Sequence, residues 1–165
     1  MRILHWLLRA LSDRLMLPFF EAFGGTMDTT LGGRLCVLHT VGRKSGQPRV
    51  IPLNYVPTTQ GVGLLAGFGR GAGWVYNLRE RPRASVLVGE RTFDATAVEL
   101  TDRVQAIAVT RGVLKNAGAV GFCYGWDPRR AADEQIGTVA DDTFAFHLVF
   151  DEPPPWAPTA AKQNG

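Results

Sequence analysis

Cysteine is nearly absent: Cys36 and Cys123 are the only two in 165 residues. Two thiols are too few for a disulfide scaffold or a cysteine-rich zinc site, and a reducing compartment is the simplest setting. Histidine is as scarce. His5, His39 and His147 show no metal-ligand spacing, so no metal is expected. No apolar run is long and clean enough to cross a membrane, because Arg9, Asp13 and Arg14 interrupt the hydrophobic opening. No small-residue cleavage site follows that opening, which argues against a secretory leader. Internal repeats and linkers are missing, and 19 Gly and 10 Pro are scattered without a period, which excludes collagen-like and rod-like chains. What remains is an ordinary globular balance, 45% hydrophobic and 20% charged, at a length that suits one domain.

Charge is uneven. Residues 1–83 carry 11 basic and 4 acidic side chains, a net of +7; residues 84–165 carry 7 and 11, a net of −4. A basic first half points to an anionic partner. Fifteen of the 18 cations are arginine, the residue suited to bidentate phosphate and carboxylate contacts. Nucleic acid is not expected, since the acidic half would repel its backbone and no reader motif is present.

The chain divides into an amphipathic helix over 1–25, a body over 30–152 and a flexible tail over 153–165. Leu4, Leu7, Leu8, Leu11 and Leu15 repeat at helical spacing, and Pro18 ends or kinks the helix. This leucine face packs on the body or a second subunit, or lies on an anionic membrane through residues 1–24. The body reads as β. Strands are expected over 35–39, 50–56 and 62–66, with Pro52 marking an edge or bulge. A hairpin follows over 85–88 and 92–100 around Gly89-Glu90, and a last strand over 143–150, where Phe144, Phe146, Leu148 and Phe150 share a face. Helices are expected over 74–81, over 102–116 with Thr101 as cap, and over 128–135. The fold class is α+β, mainly β: a small barrel of about six antiparallel strands with flanking helices.

Two segments carry chemistry. Gly42-Arg43-Lys44-Ser45-Gly46-Gln47-Pro48-Arg49 joins two strands. Its glycines expose backbone N–H groups, and Arg43, Lys44 and Arg49 supply charge, which suits phosphate or carboxylate oxygens. A plain solvated turn is the other reading. It is not a Walker A loop, because that spacing and the following helix are lacking. The second segment runs from Gly67 through Phe68, Gly69, Arg70, Gly71, Ala72 and Gly73 to Trp74 and Asn77. Its glycines let backbone approach a flat ligand, and Trp74 and Asn77 share a helix face. The competing reading makes Trp74 plain core.

Taken in order with Pro52-Leu53-Asn54-Tyr55 and Trp74-Val75-Tyr76-Asn77-Leu78, these motifs resemble the deazaflavin (F420)-dependent nitroreductase family over roughly residues 34–100. The resemblance implies a split β-barrel and coenzyme F420, whose phospholactyl polyglutamate tail is strongly anionic. It implies that Arg43, Lys44, Ser45 and Arg49 hold phosphate and tail carboxylates and that Pro52 and Leu53 line the ring. Ala66, Gly67, Phe68, Gly69 and Arg70 would follow ring and ribityl chain, and Trp74 and Asn77 would close the pocket. The implied reaction moves a hydride from reduced F420 to a quinone, enone or nitroaromatic, with Tyr124, Tyr55 or solvent donating the proton. The alternatives are a split barrel binding FMN or haem, and a lipid-binding module without catalysis. The expected location is the cytoplasm, or the inner face of the cell membrane, as a monomer or homodimer.

Overall fold

The computed structural model describes residues 33–67 and 71–158. The expected N-terminal helix, Phe68, Gly69 and Arg70, and the chain beyond 158 lie outside the described residues.

Six strands form a closed antiparallel barrel: β1 Leu35–Val41, β2 Pro48–Thr58, β3 Gly61–Leu65, β4 Arg83–Val88, β5 Arg91–Glu99 and β6 Ala145–Phe150, in the order β1-β2-β3-β6-β5-β4. Period-two alternation sorts the side chains. Cys36, Leu38, Val62, Leu64, Val86, Phe93, Phe146, Leu148 and Phe150 fill the interior. Each such burial contributes on the order of 1.5–3 kcal/mol. Helix α1, Gly73–Glu80, adds Trp74, Val75 and Leu78 to the same core. Burial pushes the Cys36 thiol up to about 12, so this cysteine is an inert packing residue.

A second core lies on the outer wall. Helices α2, Arg103–Asn116, and α3, Asp133–Asp142, press Val113, Leu114, Ile136 and Val139 against Leu65 and Ala145. Close approach needs glycine here: a Cβ on Gly112 would sit 2.6 Å from a Val56 methyl.

Several expected boundaries move, each for a local reason. The cap of α2 is Asp102, whose carboxylate accepts the Gln105 N–H at 2.9 Å, and not Thr101. Residues 128–130 form a turn in place of a helix start, held by the Arg129 N–H on Asp127 Oδ1; the helix begins at Asp133. Its first turn carries Asp133 and Glu134, which favour a helix N-terminus. The expected loop 118–127 contains a 3₁₀ helix, Gly118–Tyr124. Within the expected tail, the Trp156 indole donates to the Thr58 carbonyl at 2.9 Å and packs edge-on to Phe93 and Phe150.

The pairing pattern leaves one feature that matters for the site. β2 pairs with β1 along Pro48–Asn54, but with β3 only over Tyr55–Thr58. Among the described residues, the first half of β2, Pro52 included, therefore has no second strand beside it. That is where a residue lacking an N–H is tolerated.

Candidate functional site

The basic turn is a closed, pre-shaped loop. The Gly42 N–H donates to the Gln47 carbonyl and the Gly46 N–H to the Gly42 carbonyl, both at 2.8 Å. Gly46 takes φ +66°, a conformation side chains disfavour. The Ser45 hydroxyl accepts the Gln47 N–H at 3.3 Å and an Arg49 guanidinium N–H at 3.5 Å. Ser45 thus organises the turn, and its hydroxyl proton stays available to a ligand.

The cations of this turn differ from five arginines elsewhere in the fold. Arg79 pairs with Glu99, Arg83 with Asp151, Arg103 with Asp141, Arg111 with Asp133 and Arg130 with Asp127. The Glu99, Asp141 and Asp151 carboxyls are held below their usual range, in each case mainly by the bonds from these arginines. Arg43, Lys44 and Arg49 are exposed, and no carboxylate among the described residues pairs with any of them. Thr40, directly across the ladder from Arg49, buries a hydroxyl that has no partner among the described residues. An open groove of about 420 Å³ beside the turn is lined by His39, Thr40, Arg49, Ser85 and Asp94.

The structure joins the turn to α1. The Arg43 backbone N–H donates to Asn77 Oδ1 at 3.0 Å, across 34 residues of chain. The Arg43 guanidinium lies over the Tyr76 ring, 4.9 Å from its centre. Asn77 is buried, and this bond satisfies its carbonyl oxygen. Trp74, one turn earlier, is only 6% exposed and meets Phe146 edge-on at 5.5 Å. Trp74 and Asn77 therefore serve different contacts, one in the barrel core and one under the turn.

Along β2, Leu53 stands opposite Cys36 and packs against the barrel interior. Pro52, opposite Val37, points to the other face of the sheet. Both lie on the half of β2 that has no second strand neighbour among the described residues. There, alternate backbone N–H and C=O groups point away from β1, where a flat ligand can reach them. Tyr55 is half-buried against the interior, and its carbonyl accepts from the Asn116 amide at 3.2 Å.

Of the glycine loop, Ala66 is buried, its N–H donating to the Phe144 carbonyl at 2.8 Å. The Gly67 carbonyl accepts the Tyr124 hydroxyl, and Tyr124 stacks on Trp126 at 5.8 Å. Burial, with a smaller contribution from Cys123, raises the Tyr124 phenol above its ordinary value, so it is protonated at neutral pH. Phe68, Gly69 and Arg70 lie outside the described residues. His147 is half-buried and shares a 2.7 Å hydrogen bond with the Thr58 hydroxyl, a structural contact. Sequence reasoning missed Tyr76. The signal was an aromatic beside Asn77 with Arg79 three residues on, a pair that meets on one helix face.

Comparison with known proteins follows the same lines. The model of the F420H(2)-dependent quinone reductase family matches residues 12–121. F420H(2)-dependent quinone reductases of Mycobacterium tuberculosis strains H37Rv and CDC 1551 are each 31% identical over 106 residues, 59% of this chain and 70% of the relative. Among solved structures, a conserved hypothetical protein of Mycobacterium tuberculosis superposes with a TM-score of 0.55 at 18% identity, covering 76% of this chain and 78% of the other. A protein of unknown function from Agrobacterium tumefaciens gives 0.50 at 18%, covering 81% and 55%. These two likenesses concern the fold.

Proposed function

The chain belongs to the F420H(2)-dependent quinone reductase family, and from that premise we propose that it reduces an electron-poor small molecule, a quinone, enone or nitroaromatic, at the expense of reduced coenzyme F420. The observation that carries the reading is the basic turn, with three cations lacking carboxylate partners among the described residues, docked on α1 beside the free half of β2. An anionic tail fits the one and a flat ring the other. When bound, the deazaflavin supplies the hydride; the protein supplies position, electrostatics and shelter.

Each residue then has a task. Arg43, Lys44 and Arg49 hold phosphate and tail carboxylates, and Ser45 shapes the turn while offering its hydroxyl. Pro52 and Leu53 flank the strand edge against which the ring lies. Ala66 and Gly67 follow the ring, and Phe68, Gly69 and Arg70 continue that wall in the proposal. Trp74 and Asn77 act from behind, as core and as turn support. Tyr124, protonated and anchored on the Gly67 carbonyl, is one source of the proton that the reduced acceptor needs, with Tyr55 and solvent as the others. A cytoplasmic enzyme with peripheral membrane contact through residues 1–24 completes the proposal.

FMN or haem on the same barrel is the competing reading. One phosphate needs fewer than three cations, which favours the longer tail. Fluorescence titrations with F420, FMN and haem side by side test it. F420 is expected to bind most tightly; a preference for FMN or haem overturns the assignment.

A further inference from the structure

Arg43 is held at two points by consecutive residues of α1. Its backbone N–H donates to Asn77 Oδ1 at 3.0 Å, and its guanidinium lies 4.9 Å from the centre of the Tyr76 ring. The same ring also meets Arg79 at 5.5 Å, and Arg79 lies 4.3 Å from the Phe144 ring. Among the described residues the column therefore holds two cations, and they are not equivalent. Arg79 donates two bonds to Glu99, at 2.7 and 2.6 Å, so its charge is compensated. No carboxylate among the described residues pairs with Arg43.

Stacking on an aromatic ring occupies the face of a guanidinium and leaves its in-plane N–H groups for a bidentate oxyanion. An exposed arginine otherwise samples many rotamers, and fixing them on binding costs affinity. We propose that Tyr76 is a positioning residue: it lays the Arg43 guanidinium flat against α1 so that its donor edge meets the anionic tail of the deazaflavin cofactor. This rests on the function proposed above and adds a residue to it. Tyr76 acts through Arg43, while Asn77 fixes the backbone to which that side chain is attached.

The test compares binding of coenzyme F420 with binding of the tail-less deazaflavin chromophore, which lacks phosphate and glutamates, by fluorescence at low ionic strength. Tyr76→Met keeps apolar bulk without a π face. It is expected to weaken F420 binding roughly 3–10-fold and to leave the tail-less compound unaffected. Tyr76→Phe keeps the face and most of the affinity. In an Arg43→Ala background, Tyr76→Met should add nothing, because the two residues act as one unit. In turnover, KM for F420 rises while kcat holds. Equal losses for the two compounds, or full additivity with Arg43→Ala, overturn the proposal. Arg43→Lys, an exposed change that keeps charge but loses the planar face, gives a second reading independent of any packing defect at Tyr76. It should lose affinity for F420, and wild-type affinity in it counts against the stacked geometry. If the wild-type protein binds both compounds equally, the assignment of the turn to the tail fails and this proposal falls with it.

Discussion

Removing one charge from the turn isolates the electrostatic part of the argument. In Arg43→Ala the backbone N–H that reaches Asn77 survives, so the turn keeps its anchor and the melting temperature should hold. What disappears is a guanidinium that lies over the Tyr76 ring and pairs with no carboxylate among the described residues. A hydrogen bond to a charged group is worth about 1.5–3 kcal/mol, and an exposed site takes the lower end because solvent screens it. About 1.4 kcal/mol is a tenfold change, so the dissociation constant of F420 should rise about tenfold. Lys44→Ala should behave alike, somewhat more weakly, since an ammonium offers no fork. Screening lengths fall from about 30 Å at 0.01 M salt to about 10 Å at 0.1 M, so the loss should shrink as salt is added. Fluorescence titration at two ionic strengths reads both numbers. Arg103→Ala serves as the control, because its guanidinium is engaged by Asp141 at 3.0 Å and does not line the groove beside the turn. If both turn variants bind F420 as the wild type does at low salt, the turn does not hold the tail.

Two further outcomes test the fold around the site. Trp74→Ala removes a ring packed edge-on to Phe146 inside the barrel and should cost about 3–5 kcal/mol of stability in a urea unfolding curve; a loss below about 1 kcal/mol would mean that the ring is not core. His147 has its ionisation lowered from 6.5 by burial, so the unfolded chain binds more protons than the folded one between the lowered value and 6.5. Its contribution is complete above pH 6.5 and is lost as pH falls through the folded value; thermal melts should show that slope in the wild type and a flatter one in His147→Gln.

The segments of the candidate site are legible in the sequence because each is local. A glycine-bracketed run of cations, a proline within a strand and a second glycine cluster before a helix each act through their own few residues. The alternation over 143–150 foretold which side chains of β6 enter the barrel, since a strand reverses facing at every step. Boundaries were less legible where neighbours compete for one role, as Thr101 and Asp102 do for the α2 cap. Pro128 suits a turn as well as a helix start, so the sequence does not reveal that the helix begins only at Asp133.

Element types, the strand-joining basic turn and the family resemblance can be read along the chain, because each rests on the order of residues over short stretches. Only the tertiary structure decided that Arg43 and Asn77, 34 residues apart, share a hydrogen bond, and that Tyr76 lies under the Arg43 guanidinium. It likewise decided that Pro52 and Leu53 face opposite sides of a half-paired strand, and which arginines have carboxylates to pair with. These depend on barrel closure, register and helix docking, and such long-range choices are made by the packing of the whole core and leave no mark in any short stretch of residues.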